Sequence, residues 1–144
     1  MKKLIIVLTL TMLACSGDDN NSNCNFLFDA GVNLNVNTNL PQFNQLNFNS
    51  SSVYVPNQGN NGIWLYRLNS STLYAWDAAD PSHAPAACST LTDSGTGDIV
   101  VCGCDDANQY SLGTGLGLEG NTQSCTLQPY RVDNLGDGQY LVSN

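Results

Sequence analysis

Residues 80–105 read DPSHAPAACSTLTDSGTGDIVVCGCD, and the rest of the chain is read outward from them. The stretch opens on a tight loop, Asp80-Pro-Ser-His83-Ala-Pro-Ala-Ala-Cys88, and closes on a second, Cys102-Gly-Cys104-Asp105-Asp106. Between them Thr92-Asp-Ser-Gly-Thr-Gly-Asp98 is a turn cluster. Ile99-Val-Val101 is β-branched and delivers the chain into the second loop as a strand. Two loops at strand ends, both carrying metal-ligand residue types, suit a metal centre held between them. They equally suit a disulfide staple that needs no metal.

The flanks read as short strands. Val32, Leu34 and Val36 alternate with asparagines, a period of two that predicts a strand with one buried face. Pro41 ends it, and Phe43, Leu46 and Phe48 anchor an irregular, asparagine-rich segment in which no long helix is expected. After the turn residues 57–62, Ile63, Leu65 and Arg67 face one way and Trp64, Tyr66 and Leu68 the other. Leu73-Tyr-Ala-Trp-Asp77 pairs with that strand as a hairpin. Tyr110-Ser-Leu112 is short and apolar, and the glycine-spaced residues 114–120 must bend. Tyr130-Arg-Val132 and Gln139-Tyr-Leu-Val142 form a closing hairpin around residues 135–138. The expected fold is all-β, a sandwich or barrel of short antiparallel strands.

The amino terminus has the pattern of an export signal. Lys2-Lys3 precede a short apolar run, too short to span a bilayer, and Met12-Leu13-Ala14-Cys15 resembles a bacterial lipobox. The expected organisation is therefore a lipoprotein signal peptide over residues 1–14, a tether over 15–30 beginning at a lipidated Cys15, and a β domain over 31–144. Ser16-Gly-Asp-Asp-Asn-Asn-Ser-Asn23 is polar, as a tether should be, and resembles the acidic signal of surface-exposed lipoproteins of Bacteroidetes type. Removing the signal leaves Arg67 and Arg131 as the cations against twelve acids. Such a chain cannot neutralise phosphates, so no nucleic-acid partner is expected. Attachment to an anionic membrane must come from the lipid.

Composition also narrows the chemistry. There is one histidine, His83, and no G-x-S-x-G turn to mark a hydrolase nucleophile. No Gly-rich phosphate loop ends in lysine. No catalysis is expected. Six cysteines in an exported chain predict disulfides. With Cys15 lipidated, Cys24, Cys88, Cys102, Cys104 and Cys125 remain, an odd number whose pairing the sequence leaves open.

In their order along the chain these pieces resemble a Rieske domain, which carries C-x-H in one loop and C-x-x-H in a second. Its second motif runs on to an aromatic residue, T-G, a glycine bend, P-L-x-x-Y-x-V and a terminal hairpin. Here Asp80-Pro-Ser-His83 stands at the first motif and Cys102-Gly-Cys104-Asp105 at the second. Tyr110, Thr114-Gly115, Gly120, Leu127-Gln-Pro-Tyr130-Arg-Val132 and Gly138-Gln-Tyr-Leu-Val142 follow. The likeness extends over residues 53–144, and the whole is similar to short Bacteroidetes lipoproteins of Rieske-like fold.

The resemblance implies a Rieske-like β-fold and, in an intact member, a [2Fe–2S] cluster on two thiolates and two imidazoles. This chain departs from that ligand set. Asp80 occupies the first cysteine position, Ser82 or His83 the first histidine position, Cys102 the second cysteine position and Asp105 the second histidine position. Even with Cys104 as a second thiolate, the second imidazole is missing. No cofactor is therefore expected, with [2Fe–2S] as the alternative. The resemblance also implies a disulfide between the loops, as in respiratory Rieske proteins: Cys88–Cys104, with Cys88–Cys102 the runner-up. A second bridge, Cys24–Cys125, would pin the amino-terminal strand.

His83 has two readings, a mononuclear metal site with Asp80, Asp105 and Cys102, or a loop histidine hydrogen-bonded to a neighbour. Trp64, Trp76, Tyr66 and Tyr74 suggest either a stacking surface for sugars or peptides, or cross-strand core pairs. The expected function is that of a lipid-anchored outer-membrane protein, periplasmic or surface-exposed, with degenerate cluster positions and a structural or binding role. The alternatives are a Rieske-type [2Fe–2S] electron carrier serving an oxygenase or reductase, and a module binding glycan or protein.

Overall fold

The computed structural model describes residues 23–144. The expected signal peptide and Cys15 lie outside the described residues. Among the described residues nine strands follow in order: β1 (Asn33–Asn37), β2 (Ser51–Val55), β3 (Ile63–Arg67), β4 (Leu73–Asp77), β5 (Leu91–Asp93), β6 (Ile99–Cys102), β7 (Gln109–Ser111), β8 (Pro129–Gly136) and β9 (Gln139–Ser143). They form a six-stranded sheet in the order β1-β9-β8-β4-β3-β2 and a three-stranded sheet in the order β5-β6-β7, with antiparallel pairing throughout. The chain is all-β, as the alternation predicts.

β3 explains why there are two hydrophobic cores. All five of its residues are buried. Ile63 and Leu65 project into a first core with Val36, Leu46, Ala75, Tyr130 and Val142, inside the curl of the larger sheet. Trp64 and Tyr66 project into a second core with Leu91, Val100, Tyr110, Leu112 and Leu127, against the smaller sheet. A strand apolar on both faces must be covered on both, so β3 is the wall the cores share.

The irregular segment after β1 contains a 3-10 helix over Pro41–Asn47. Proline at its start has the right φ already. Side chains three apart eclipse in a 3-10 helix, which puts Phe43 and Leu46 on one buried side. Residues 23–30, read from sequence as the end of a tether, are fastened to the domain. Cys24 is disulfide-bonded to Cys125, and Asn60 hydrogen-bonds both the Phe28 N–H and its carbonyl.

Candidate functional site

The loop after β4 is shaped by its own first four residues. Asp80 and His83 close a turn, the His83 N–H donating to the Asp80 carbonyl at 3.1 Å, with Pro81 at its favoured second position. The Asp80 side chain turns back to accept from the Ser82 N–H at 2.8 Å, the local bond that aspartate makes at turns. The loop's base is closed by the Asp80 N–H, which donates to the Ser89 carbonyl at 2.8 Å.

The second loop leaves β6 at Cys102. The Cys102 N–H donates to the Asn108 carbonyl at 2.8 Å, and the Ala107 N–H donates to the Cys104 carbonyl at 2.9 Å. Cys88 and Cys104 are joined as a disulfide across the two loops. Gly103 makes that approach possible, because a Cβ there would stand 3.0 Å from the Cys88 carbonyl oxygen.

Asp80 is the centre of the site and is fully buried. Its Oδ1 accepts from the Ser82 N–H and hydroxyl, at 2.8 and 2.7 Å, and from the Tyr110 hydroxyl at 2.6 Å. Its Oδ2 lies 3.1 Å from His83 Nδ1 and 3.3 Å from the Asn108 amide nitrogen. Burial by itself raises the Asp80 carboxyl. The hydrogen bonds from Tyr110 and Ser82 outweigh it, and the group rests below the ordinary carboxylate range. Burial, and then the facing Asp80 carboxylate, push the Tyr110 hydroxyl up.

His83 bridges the loops. Its Nδ1 meets Asp80, and its Nε2 lies 3.2 Å from Asp106 Oδ2. The carboxylate reaching His83 from the second loop is therefore Asp106, where the sequence suggested Asp105. The turn closed by the Ala107 N–H on Cys104 leaves Asp105 exposed and carries Asp106 inward. There Asp106 Oδ2 also accepts from the Asn108 amide at 2.8 Å and the Thr122 hydroxyl at 3.1 Å. Sequence reading missed Asp106, Asn108 and Tyr110 as partners. The pairing in β6–β7, Val100 opposite Tyr110, is what brings the last two over the first loop.

Cys102 is the free cysteine among the described residues, and it is buried. Its sulfur accepts from the Cys104 N–H at 3.4 Å and lies 3.7 Å from His83 Nδ1. Burial first, then the Asp80 carboxylate, push the thiol up to about 12. Sulfur, imidazole and the Asp106 carboxylate follow one another as in a cysteine–histidine–acid relay. Yet Nδ1 is nearer to Asp80 than to the sulfur, and a thiol so raised is protonated at neutral pH. The arrangement does not make a nucleophile.

As a metal holder the site offers one donor atom each from Asp80, His83, Cys102 and Asp106, all within 4.8 Å of one another. Two oxygens, one nitrogen and one sulfur suit a single borderline cation better than an iron–sulfur cluster. The residues do not fit a [2Fe–2S] centre. The chain has one histidine, and Cys104 is held in the disulfide.

The aromatic residues of the first hairpin are largely internal. Trp64 and Tyr66 are buried, and the Trp64 indole N–H donates to the Leu91 carbonyl at 3.0 Å. Trp76 donates to the Leu112 carbonyl at 2.8 Å.

No protein-family model and no curated protein matches the chain. Solved structures are similar to it. One is the complex of reduced oxygenase and oxidized ferredoxin in carbazole 1,9a-dioxygenase, 16% identical over 81% of this chain and 94% of that one, with a TM-score of 0.48. The ferredoxin of carbazole 1,9a-dioxygenase from Nocardioides aromaticivorans IC177 is 14% identical over 80% of this chain and 98% of its own, also at 0.48. A putative nitrite reductase NADPH small subunit is 20% identical over 78% and 99%, at 0.42. The likeness is one of fold alone.

Proposed function

We propose that this is a lipid-anchored cell-envelope protein of Rieske-like fold that works without an iron–sulfur cluster, in a structural or binding role. One observation carries the reading. Where the Rieske resemblance would put the first cluster cysteine stands a buried carboxylate, Asp80, whose two oxygens are already engaged by Ser82, His83, Asn108 and Tyr110. A cation entering here must displace hydrogen bonds that are made inside the protein, where they are costly to leave unmade. The Cys88–Cys104 bridge ties the loops together covalently, so no metal is needed to hold them.

The purified protein is expected to be colourless and iron-free after anaerobic reconstitution with iron and sulfide. A visible spectrum with stoichiometric iron and sulfide would overturn the reading in favour of a [2Fe–2S] electron carrier. Zinc titration checks the mononuclear alternative that the four clustered donors favour. The expected result is no metal-dependent rise in melting temperature. Anchoring is tested separately: Cys15→Ser is expected to move the protein from the outer-membrane fraction to the soluble fraction.

A further inference from the structure

The bridge between the two loops is flanked by soft donors that it does not use. The donor atoms of His83, Cys102 and Cys104 all lie within 4.8 Å of one another. Cys102 Sγ is 3.7 Å from His83 Nδ1 and accepts from the Cys104 N–H at 3.4 Å. The sulfur of Cys88 is bonded to that of Cys104, and the Cys88 carbonyl lies 3.6 Å from Cys102 Sγ. Each loop thus brings two residues to one junction, His83 and Cys88 from the first, Cys102 and Cys104 from the second. While the bridge is closed, two of the three sulfurs are taken up by each other.

The bridge is open to attack. Cys88 is exposed and Cys104 half-buried, whereas the Cys24–Cys125 bridge ends on a buried Cys125. Thiol–disulfide exchange needs access to a sulfur, so a dithiol reaches Cys88–Cys104 first. The dithiol gives up two electrons and two protons and closes to its own disulfide. Cys88 and Cys104 become thiols.

We propose that reduction of the Cys88–Cys104 bridge by a dithiol turns this junction into a zinc site, with Cys88, Cys102, Cys104 and His83 Nδ1 as its four ligands. Three thiolates and one imidazole are a closed structural zinc set, and zinc–sulfur bonds of about 2.3 Å put tetrahedral donors roughly 3.5–4 Å apart. Cys102 and His83 already stand at that spacing. His83 Nε2 lies 3.2 Å from Asp106 Oδ2, the carboxylate–histidine contact that fixes the tautomer and leaves Nδ1 as the ligand atom. Zinc takes over the Nδ1 contact with Asp80 but leaves the three hydrogen bonds on Asp80 Oδ1 in place. A coordinating thiol is deprotonated outright, so three protons leave as the ion enters, and buried Cys102 needs no prior ionisation. The loops are then tied by a sulfur–sulfur bond when oxidised and by zinc when reduced. This goes beyond the cluster-free reading of the bridged protein, and the bridged protein is its control.

The test uses the whole mature protein in two forms. One is bridged. The other is treated with dithiothreitol until mass mapping shows Cys88 and Cys104 free and Cys24–Cys125 intact, and the reductant is then removed anaerobically. Each is titrated with zinc and with cobalt(II). The reduced form is expected to take one equivalent, to show thiolate-to-cobalt charge transfer and the visible bands of a tetrahedral site, and to melt higher with zinc. The bridged form is expected to bind about 100-fold more weakly or not at all. Cys102→Ser and His83→Ala keep the bridge, so their folding is checked in the bridged form. After reduction both are expected to bind at least about tenfold more weakly than the parent. Asp106→Asn is expected to weaken zinc by about 10–100-fold and leave the tetrahedral cobalt bands. The proposal is overturned if the reduced protein binds neither metal, if bound cobalt shows no thiolate charge transfer, or if the bridged form binds as tightly. It is equally overturned if the bridge opens only with loss of the fold, or if Cys102→Ser and His83→Ala bind like the parent.

Discussion

The Tyr110 hydroxyl donates to Asp80 Oδ1 across 2.6 Å, and both residues are completely buried. The first lies in the three-stranded sheet and the second just beyond the six-stranded one, so this bond joins the Asn108 and Trp64 hydrogen bonds in linking the two sheets. A second tyrosine–aspartate pair lies within the six-stranded sheet, between β8 and β4: the Tyr130 hydroxyl donates to the buried Asp77 at 2.6 Å. Both are hydrogen bonds to a charged acceptor, the stronger kind.

Tyr110→Phe is expected to destabilise the protein by about 1.5–3 kcal/mol, the range for a hydrogen bond to a charged group. Chemical denaturation measures it. In a cycle with Asp80→Asn the two losses should be clearly non-additive, because they remove the same bond. Additive losses would show that the pair does not act as a unit.

Acid sensitivity follows from the direction of the Asp80 shift. A carboxyl held below its unfolded value favours the folded state above the ordinary carboxylate range. That contribution fades as pH falls through the lowered folded value. Stability should therefore drop on the acid side, and Asp80→Asn should flatten that limb while leaving a less stable protein at neutral pH. Melting temperature against pH for the two proteins is the measurement.

Cys102 is expected to resist alkylation at neutral pH, since its thiol is pushed up to about 12 and lies buried beside Asp80. Peptide mass mapping after brief iodoacetamide treatment should find it unmodified in the native state and modified after denaturation. Rapid native labelling would contradict the buried, protonated thiol.

The two bridges should differ in weight. Replacing Cys88 and Cys104 together opens a closure of sequence separation 16, which the chain-entropy account values at about 3 kcal/mol. Replacing Cys24 and Cys125 opens one of separation 101, valued at about 4.7 kcal/mol. Denaturation midpoints of the paired-serine variants test the order.

Gly115→Ala is expected to cost more than an ordinary surface change, at roughly 1–3 kcal/mol. Gly115 has φ +74°, and a Cβ there would stand 2.6 Å from the Trp76 ring. The loss of stability should come with a changed Trp76 fluorescence, because the ring must move.

Much of this was legible in the residues themselves. Alternation in Val32, Leu34 and Val36, the doubly apolar Ile63–Arg67 run and the turn clusters between strands are local signals. Side-chain period and turn chemistry act over a few residues, and they suffice for an all-β reading. The count of one histidine, which bars a two-imidazole cluster, is likewise a property of the sequence. What neighbours do across the fold is not local. Asp105 and Asp106 are chemically identical, and only the turn closed on Cys104 decides which one faces His83. Tyr110 and Asn108 reach Asp80 only because β6 and β7 pair in the register that sets Val100 opposite Tyr110. Arg67 reads from sequence as one end of an alternating strand. Its burial over Tyr140 without an acid follows from the curl of the larger sheet, which brings β9 against β3's inner face. The sequence carries the donors and the strand pattern, and tertiary packing chooses their partners, because burial and hydrogen-bond distance are set by contacts far apart along the chain.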